Sequence, residues 1–474
     1  MNNIENWLFH KGWLEYVSLL DSRHHNEFLR AFAVKKLESM TDQELLRYLP
    51  FILLGVCYEP ELYNPLTEFV IERSVKNMQY IGMQTYWILR SWLHWKPYHV
   101  KFMLICEQIV FLAGSARRIL LEQQKVCEMM KEAAIKALSS KDNKRSDGLK
   151  EFFNARNKRL ASMSSEQRDL YQFPHDYTLQ SNAILGQYCK STGRKKTSIT
   201  VTCPPLARGL PNFAVTYRFQ EEVCQDMFCH RLMQMFDHCW LERGLDLKII
   251  TPKVTPVDDL IGFAQVFDNS ESLSNIYQKY GTGLSELDKN CILKFIEANN
   301  KNVGRDNAQE VFRRSLAGYC VGTYVLGVVE KSYDFYTITE NGTFFHNSFG
   351  MELFGGADRD DRDKIRVAFT KEMEAVIDPN LEEYFFGLCN AALIVLRKQA
   401  HQLLNLMRMM LLANLPGYQV PEALTYVRNS LNLSGSDADA CQNFKLVMER
   451  SLATDFRKAE RVGKQNANID GEDL

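Results

Sequence analysis

Apolar residues recur at helical spacing along the first part of the chain. Leu66, Phe69 and Val70 lie three or four positions apart, so a helix would bring them onto one face. Similar short periodic segments follow with brief connections between them. This pattern predicts a helical-repeat domain over residues 1–138.

Two helix starts in this part are marked by capping residues. Thr41 with Glu44 has the spacing of a capping box, in which each residue bonds the backbone of the other. Asn64 before Pro65 combines a good cap residue with a proline in the first turn. Both signals predict that a helix begins directly after the cap.

The pattern changes after residue 138. Residues 139–170 are polar and charged, which predicts a solvated helix and linker rather than a basic binding patch. Residues 171–268 mix short β-branched runs with one long helical segment, Cys224–Gly244. The predicted strands are Ser198–Cys203, Phe213–Phe219, Asp246–Val254 and Gly262–Phe267. Together they indicate a small sheet that carries one helix.

Helices dominate again over residues 269–462. The segment Tyr384–Gly417 is apolar around much of its circumference, but three basic residues interrupt it. It therefore favours buried helices over a membrane span. Residues 463–474 are expected to be disordered. The fold class that follows is α+β, with a helical repeat first and a two-part domain after it.

Composition narrows the possible environment and partners. The formal net charge of −1 gives no general attraction for nucleic acid. The twelve cysteines include no CxxC pair, and the sequence starts without a basic signal region, so we expect reduced thiols in a cytoplasmic protein. Cys229, His230, His238 and Cys239 would not converge on a metal, because they spread around a helix.

Several stretches, in order, resemble the catalytic subunits of class I phosphoinositide 3-kinases. The resemblance covers about residues 35–460 and implies an accessory helical domain followed by a bilobal lipid-kinase domain. Modules that the family carries upstream have no counterpart in this sequence, so a gene fragment or a shortened paralogue is expected. The matching stretches are LESMTDQELLRYLPFILLGVCYEPELYNPLTEFVIERSVKN (37–77), GQYCKSTGRKKTSITV (186–201), QDMFCHRLMQMFDHCWLERGLDLKI (225–249), LAGYCVGTYVLG (316–327) and LCNAALIVLRKQ (388–399).

The resemblance implies a degenerate nucleotide pocket. The family's phosphate-binding lysine aligns with Arg218, which keeps the charge but not the shape; the alternative is an exposed strand arginine. Glu222 follows it as an acidic residue, and Lys195 aligns with the lysine of the phosphate loop. Gln265 replaces a hinge glutamate, and Phe267 takes the position whose backbone meets adenine.

The catalytic loop departs from the family further. In the aligned run VEKSYDF, Glu330 stands for the aspartate, Lys331 for the arginine, and Ser332 for the histidine that would assist the attacking hydroxyl. Two metal-binding positions are also changed. Phe335 replaces the asparagine, and Ser348 replaces the aspartate of the family's His-x-Asp-Phe-Gly. Phenylalanine offers no oxygen and a neutral hydroxyl is a weak ligand, so Mg²⁺ binding is expected to be lost.

The predicted substrate loop has lost its basic character. In the family this loop is basic and holds the phosphates of a lipid headgroup. Here the run FGGADRDDRDKIRVAF carries Arg362, Lys364 and Arg366 together with one more arginine, against four aspartates. Because these charges cancel, the attraction for a polyanionic headgroup is expected to be weak.

Three hypotheses about function follow. The first is a pseudokinase that acts as a binding or regulatory module in phosphoinositide signalling, with no cofactor. The second is a divergent active kinase that transfers the ATP γ-phosphate to the 3-hydroxyl of phosphatidylinositol lipids, and it alone requires ATP and Mg²⁺. The third is a non-functional fragment, against which the intact apolar periodicity counts. Expected partners are proteins of phosphoinositide signalling, regulatory subunits among them, with weak membrane contact at the periphery and no nucleic acid.

Overall fold

The chain divides into two units. The first contains Met1–Arg231, Pro252–Asp268 and Arg408–Ala413, and the second contains Leu232–Thr251, Asn269–Met407 and Asn414–Leu474. The residues described by this computed structural model are 12–141, 144–163, 170–192, 197–207, 209–281, 288–301, 304–328, 332–350, 367, 369–412 and 420–453.

The first unit begins with helices whose starts agree with the sequence signals. Thr41 accepts from the backbone N–H of Glu44, whose carboxylate accepts in return from the N–H of Thr41, which completes the predicted capping box. Asn64 caps the helix that has Pro65 in its first turn. The helices are α1 (Trp13–Ser18), α2 (Glu27–Leu37), α3 (Asp42–Gly55), α4 (Pro65–Lys76), α5 (Met83–Ser91), α6 (His99–Leu112), α7 (Arg117–Leu138) and α8 (Arg145–Ala161).

A five-stranded antiparallel sheet follows in the same unit, with the strand order β3-β4-β5-β7-β6. Its central strands, β4 (Thr197–Cys203) and β5 (Phe213–Phe219), are two of the predicted strands; alternate residues of β4 are buried, and β5 shows the same alternation except that Arg218 is buried as well. A hairpin of two short strands stands beside it. The remaining strands are β1 (Tyr171–Phe173), β2 (Asp176–Ser181), β3 (Lys190–Thr192), β6 (Val254–Asp258) and β7 (Ile261–Gln265).

Aromatic packing joins the start of the long helix after β5 to the helical layer of the first unit. The predicted helix is observed as α9 (Val223–Leu241), and its residues up to Arg231 belong to this unit. Phe228 of α9 meets Phe51 edge-on at 5.4 Å and stacks on Trp92 at 6.1 Å between ring centroids. Burial of three large rings anchors this end of α9 on the helical layer.

One predicted strand does not form. Residues 246–253 carry no regular secondary structure, and the strand begins only at Val254. The reason lies in the second unit, where side chains of a later helix use the carbonyls of this segment: Tyr319 donates to Ile250 O at 2.6 Å and Arg314 to Asp246 O at 3.1 Å. A Cβ at Gly318 would lie 2.5 Å from Ile249 Cδ1, so glycine permits this close approach.

The second unit is built around that buried helix, α12 (Arg305–Leu326), and a three-stranded sheet in the order β10-β9-β8. Trp240 donates its indole N–H to Ala392 O at 3.0 Å, which ties the end of α9 to the helical part of this unit. Its strands are β8 (Ser270–Ser272), β9 (Tyr336–Thr339) and β10 (Phe344–His346), and its other helices are α10 (Leu273–Tyr280), α11 (Cys291–Asn299), α13 (Lys371–Glu374), α14 (Glu382–Lys398), α15 (Ala400–Leu412), α16 (Val420–Ser430) and α17 (Asp437–Ala453).

The long apolar segment near the C-terminus forms two helices, α14 and α15, which break at Gln399. One face of α14 is buried, including Phe385, Leu393 and Leu396. Within the residues that the structure describes, every helix is too short or too polar to cross a bilayer. The predicted disordered tail, residues 463–474, lies outside the described part of the chain.

Candidate functional site

The hairpin of β9 and β10 carries the two ends of the predicted catalytic segment. Its register pairs Tyr336 with His346. The chain enters β9 from Phe335 and leaves β10 into Asn347, so these two residues face each other at the open end of the hairpin. The backbone N–H of Asn347 donates to the carbonyl oxygen of Phe335 at 2.9 Å. The pairing thereby fixes which residues of the two segments are neighbours.

Both predicted metal-binding positions lie at this open end. Phe335 is half-buried, and Ser348, which follows Asn347 directly, is 8% exposed. The hydroxyl of Ser348 accepts from the N–H of Gly350 at 3.4 Å. Mg²⁺ binds carboxylate, phosphate and water oxygens in a near-ideal octahedron, and these two side chains provide one neutral hydroxyl between them. They do not fit the metal ion that the family resemblance implies.

Ser332 and Asp334 lie in the turn before β9. The N–H of Phe335 donates to Ser332 O at 2.9 Å, and the N–H of Asp334 donates to the Ser332 hydroxyl at 3.3 Å. The amide of Asn347 donates to Asp334 O at 3.0 Å and to the Thr337 hydroxyl at 3.2 Å. The Ser332 hydroxyl therefore supports the turn, while the Asp334 side chain is exposed.

His346 of β10 is a buried neutral ring. It stacks on Tyr319 with 5.2 Å between centroids and on Phe349 with 5.4 Å. Burial lowers its pKa to about 3, because the charged imidazolium would lose its hydration. At neutral pH this histidine contributes aromatic packing and no charge.

In the first unit, Arg218 occupies the predicted phosphate-binding position on β5. It is 5% exposed, so the alternative of an exposed strand arginine is wrong. Its guanidinium forms an ion pair with Asp226 at the start of α9 and lies 3.9 Å from the carboxylate of Glu221. Ser198 donates to that same Glu221 carboxylate at 2.5 Å. The cation is thus held between acidic side chains, and Glu222 lies next to this network in the sequence, half-buried.

Gln265 ends β7 with its side chain bonded to backbone. The side-chain oxygen Oε1 of Gln265 accepts from the backbone N–H of Lys253 at 3.1 Å. The backbone N–H of Gln265 donates to the carbonyl oxygen of Lys253 at 2.8 Å. Phe267 is half-buried two residues later. On strands β4 and β5, Thr200 and Thr216 share a hydroxyl hydrogen bond of 2.9 Å.

Six predicted site residues lie outside the described part of the chain, and their assignments stay predictions. They are Lys195, Glu330, Lys331, Arg362, Lys364 and Arg366. The structure brings Ser332, Phe335 and Ser348 together at one hairpin in the second unit. Across the described ranges, no group of three or more histidine, cysteine, aspartate or glutamate side chains is placed to hold a metal ion.

Two acidic residues that form side-chain contacts in these regions have no role predicted from the sequence. Asp226 has no predicted role, although it forms an ion pair with Arg218. An acidic residue in the first turn of the helix that follows the strand of Arg218 could have indicated the pair. Glu372, 2% exposed, accepts from the Tyr333 hydroxyl at 3.3 Å, and no sequence signal indicates this contact between residues 39 positions apart.

Comparison with known families identifies two domains. Residues 13–146 match the phosphoinositide 3-kinase family accessory domain, also called the PIK domain. Residues 212–420 match the phosphatidylinositol 3- and 4-kinase domain. The accessory-domain match thus falls on the helical layer, and the kinase-domain match that follows it falls on the part of the chain that contains the sheets.

Similar curated proteins extend beyond this chain. Phosphatidylinositol 3-kinase 1 of Dictyostelium discoideum is 28% identical over 451 residues, which are 93% of this chain and 28% of that protein. Phosphatidylinositol 3-kinase C2 domain-containing subunit gamma of Homo sapiens is 28% identical over 464 residues, which are 95% of this chain and 30% of that protein. The chain thus spans less than a third of the length of these relatives.

Proposed function

Because the chain belongs to the phosphoinositide 3-kinase family, with its accessory domain followed by its kinase domain, we propose that it is a pseudokinase and acts as a binding or regulatory module in phosphoinositide signalling. Expected partners are proteins of that signalling system, with regulatory subunits as candidates, and contact with membranes is transient. No cofactor is required for this role.

The observation that carries the proposal is the pair Phe335 and Ser348. The hydrogen bond from Asn347 to Phe335 aligns the two segments, so a register shift that brought another side chain to either position would break the pairing of the hairpin. Phosphoryl transfer depends on metal ions that bridge the nucleotide phosphates and neutralise the developing charge. A pair with one neutral hydroxyl does not supply that function.

The predicted substrate loop supports the same conclusion from sequence. Its four basic residues are matched by four aspartates, so it has no excess positive charge for a phosphorylated headgroup. A kinase for phosphoinositides would need such an excess to select its substrate from other lipids.

One observation favours the alternative of a divergent active kinase. The side chain of Asp334 is exposed directly beside Phe335 and provides a carboxylate near the lost ligands. With Glu330 it could hold Mg²⁺ in a rearranged loop, and the chain would then transfer the ATP γ-phosphate to the 3-hydroxyl of phosphatidylinositol lipids.

Transfer of labelled γ-phosphate from ATP to vesicles of mixed phosphoinositides tests the proposal. We expect no Mg²⁺-dependent transfer by the natural chain. The variants Glu330→Ala and Asp334→Asn serve to identify carboxylates that have replaced the lost ligands. Clear turnover that either variant abolishes would overturn the proposal and support the active kinase.

A further inference from the structure

A cavity of about 280 Å³ opens on the helical domain, between the start of α2 and the loop that precedes α4. Small-molecule sites typically measure roughly 300–1,000 Å³, so this volume suits one or two side chains better than a nucleotide. Its lining includes Glu27, Phe28, Arg30, Glu59, Glu61 and Tyr63. We call this surface the α2–α4 groove.

Two aromatic rings of the groove are unusually exposed. Phe28 is 75% exposed and Tyr63 is 79% exposed. Large exposed apolar side chains that share one concave surface are typical of interaction sites. An aromatic face also attracts a cation placed over it, and arginine does this most often.

The floor of the groove is rigid. Arg30, 4% exposed, forms a buried ion pair with Glu59 and donates to the carbonyl oxygens of Leu20 at 2.9 Å and Gly55 at 3.1 Å. Asn64 is fixed as the cap of α4, with its Oδ1 accepting from Thr67 at 2.8 Å. A partner would therefore meet a preformed surface and would not have to order it.

The charge of the groove is negative. Among the lining residues there are three carboxylates, on Glu27, Glu59 and Glu61, and one guanidinium, on Arg30. Lys101, outside the lining, donates its ammonium to the backbone carbonyl of Glu59, and negative charge remains in excess even when it is included. Glu27 and Glu61 are exposed, and no side-chain partner is seen for either among the described residues. Both carboxylates are available to a cation from outside.

From this combination we infer that the α2–α4 groove binds an arginine-bearing segment of a partner protein. The guanidinium would stack on the exposed ring of Tyr63 or Phe28 and pair with Glu27 or Glu61, and an apolar neighbour in the segment would cover the second ring. Arginine is favoured over lysine because its planar group can stack and bind a carboxylate through two N–H groups at once. The inference deepens the proposed binding role and rests on it.

The test is a titration of the full chain with a fluorescein-labelled peptide that carries two Leu-Arg pairs separated by glycine. Its counterpart has glutamine in place of each arginine. We expect the arginine peptide to bind at least tenfold more tightly than the glutamine peptide, with an affinity that falls as salt rises. Tyr63→Ser and Glu61→Gln should each weaken binding of the arginine peptide at least threefold.

Two matched variants control for the loss of any exposed ring or acid. Phe111 is 81% exposed on α6, and Glu107 is exposed on the same helix, away from the groove. Phe111→Ser and Glu107→Gln should leave peptide binding unchanged. All four positions are exposed, so thermal unfolding should agree among the variants and the natural chain.

Four outcomes would overturn the inference. Two of them are equal binding of the two peptides and equal loss in the groove and α6 variants. The third is a dimer of the natural chain that Tyr63→Ser converts to monomer, which would assign the groove to a second copy of the chain. The fourth is binding to phosphatidylcholine vesicles in place of the peptide, which would assign the groove to a lipid headgroup. None of these measurements depends on phosphate transfer. Turnover of ATP would therefore contradict the pseudokinase proposal, whereas the peptide titration tests the groove separately.

Discussion

Asn347 and Phe335 are joined by a backbone hydrogen bond of 2.9 Å, and this contact determines the chemistry available at the β9–β10 hairpin. It places Phe335 beside the segment that continues into Ser348, so an apolar ring and a neutral hydroxyl stand where the family resemblance implies two metal ligands. A shift of register that brought Asp334 into the place of Phe335 would break this bond and the pairing of Tyr336 with His346.

Restoring the two ligands should create a response to Mg²⁺ that the natural chain lacks. In the variant Phe335→Asn with Ser348→Asp, the new carboxylate replaces a side chain that is 8% exposed. Without metal it should lower the free energy of unfolding by about 1–3 kcal/mol, since a poorly hydrated charge is left unpaired. Millimolar Mg²⁺ should recover part of this loss, because it binds the folded state.

The measurement is chemical unfolding with and without MgCl₂. The matched control is Phe335→Asn with Ser348→Asn, which has similar size but no new charge and should show no recovery. If Mg²⁺ stabilises the natural chain as much as the carboxylate variant, other residues hold a metal and our assignment of these positions is wrong.

Stability should fall as the pH is lowered through the weakly acidic range, and His175 is one cause. Burial lowers its pKa from 6.5 to about 4. Neither ring nitrogen has a hydrogen-bond partner among the described residues, and the ring stacks on Phe263 with 6.4 Å between centroids. Asp176 and Lys253 are the charged neighbours, with opposite effects on its pKa.

The sign follows from proton binding. Between pH 6.5 and 4 the unfolded state protonates this histidine and the folded state does not, so protons favour unfolding. The stability present above pH 6.5 should be lost at up to about 1.4 kcal/mol per pH unit.

His175→Phe keeps an aromatic ring and should flatten the dependence of stability on pH, whereas His25→Gln, at an exposed position, should not. Urea unfolding from pH 7 to 4.5 measures this, and parallel curves for the natural chain and His175→Phe would contradict it.

Local signals in the sequence predicted most of the fold and the family. The capping box at Thr41 depends on four adjacent residues, and strand β5 depends on alternation within seven, so both could be read directly. The two domains of the phosphoinositide 3-kinase family are confirmed in the predicted order, while the assignment to class I and the loss of catalysis stay predictions.

The features that could not be predicted from the sequence depend on contacts between distant segments of the chain. Residues 246–253 have the composition of a strand, but Tyr319 and Arg314 take their carbonyls from about seventy residues away along the chain. The hydrogen bond from the Tyr333 hydroxyl to Glu372 likewise joins residues that are 39 positions apart. Local propensity does not contain this information.

Arg397 should be essential for the stability of the second unit. Although it follows a long apolar run, it is half-buried and donates to the carbonyl oxygens of Leu431, Asn432 and Gly435 and to the carboxylate of Asp437. Lysine cannot reach this set of acceptors with one ammonium. Arg397→Lys should therefore lower the free energy of unfolding by about 2–4 kcal/mol. Guanidinium unfolding measures this, and Arg428→Lys on the exposed face of α16 should change it by less than about 0.5 kcal/mol.

A loss below 1 kcal/mol on Arg397→Lys would mean that water replaces the guanidinium at these carbonyls. The loop that they belong to would then need no side chain to hold its shape.

The helical layer and the sheet of the first unit should lose stability together when Phe228 is truncated. Its ring touches Phe51 of α3 and Trp92, which follows α5, so one side chain joins α9 to two parts of the layer. Phe228→Ala leaves a cavity among these rings and should cost about 3–5 kcal/mol. Hydrogen exchange should quicken in α3 and in β5 as well as in α9.

The control is Phe385→Ala, which removes a buried ring stacked on Phe369 at 5.7 Å in the second unit. This variant should quicken exchange in α14 instead. Faster exchange confined to α9 would show that the layer and the sheet unfold separately, because a shared core transmits the loss of one ring to every element that packs on it.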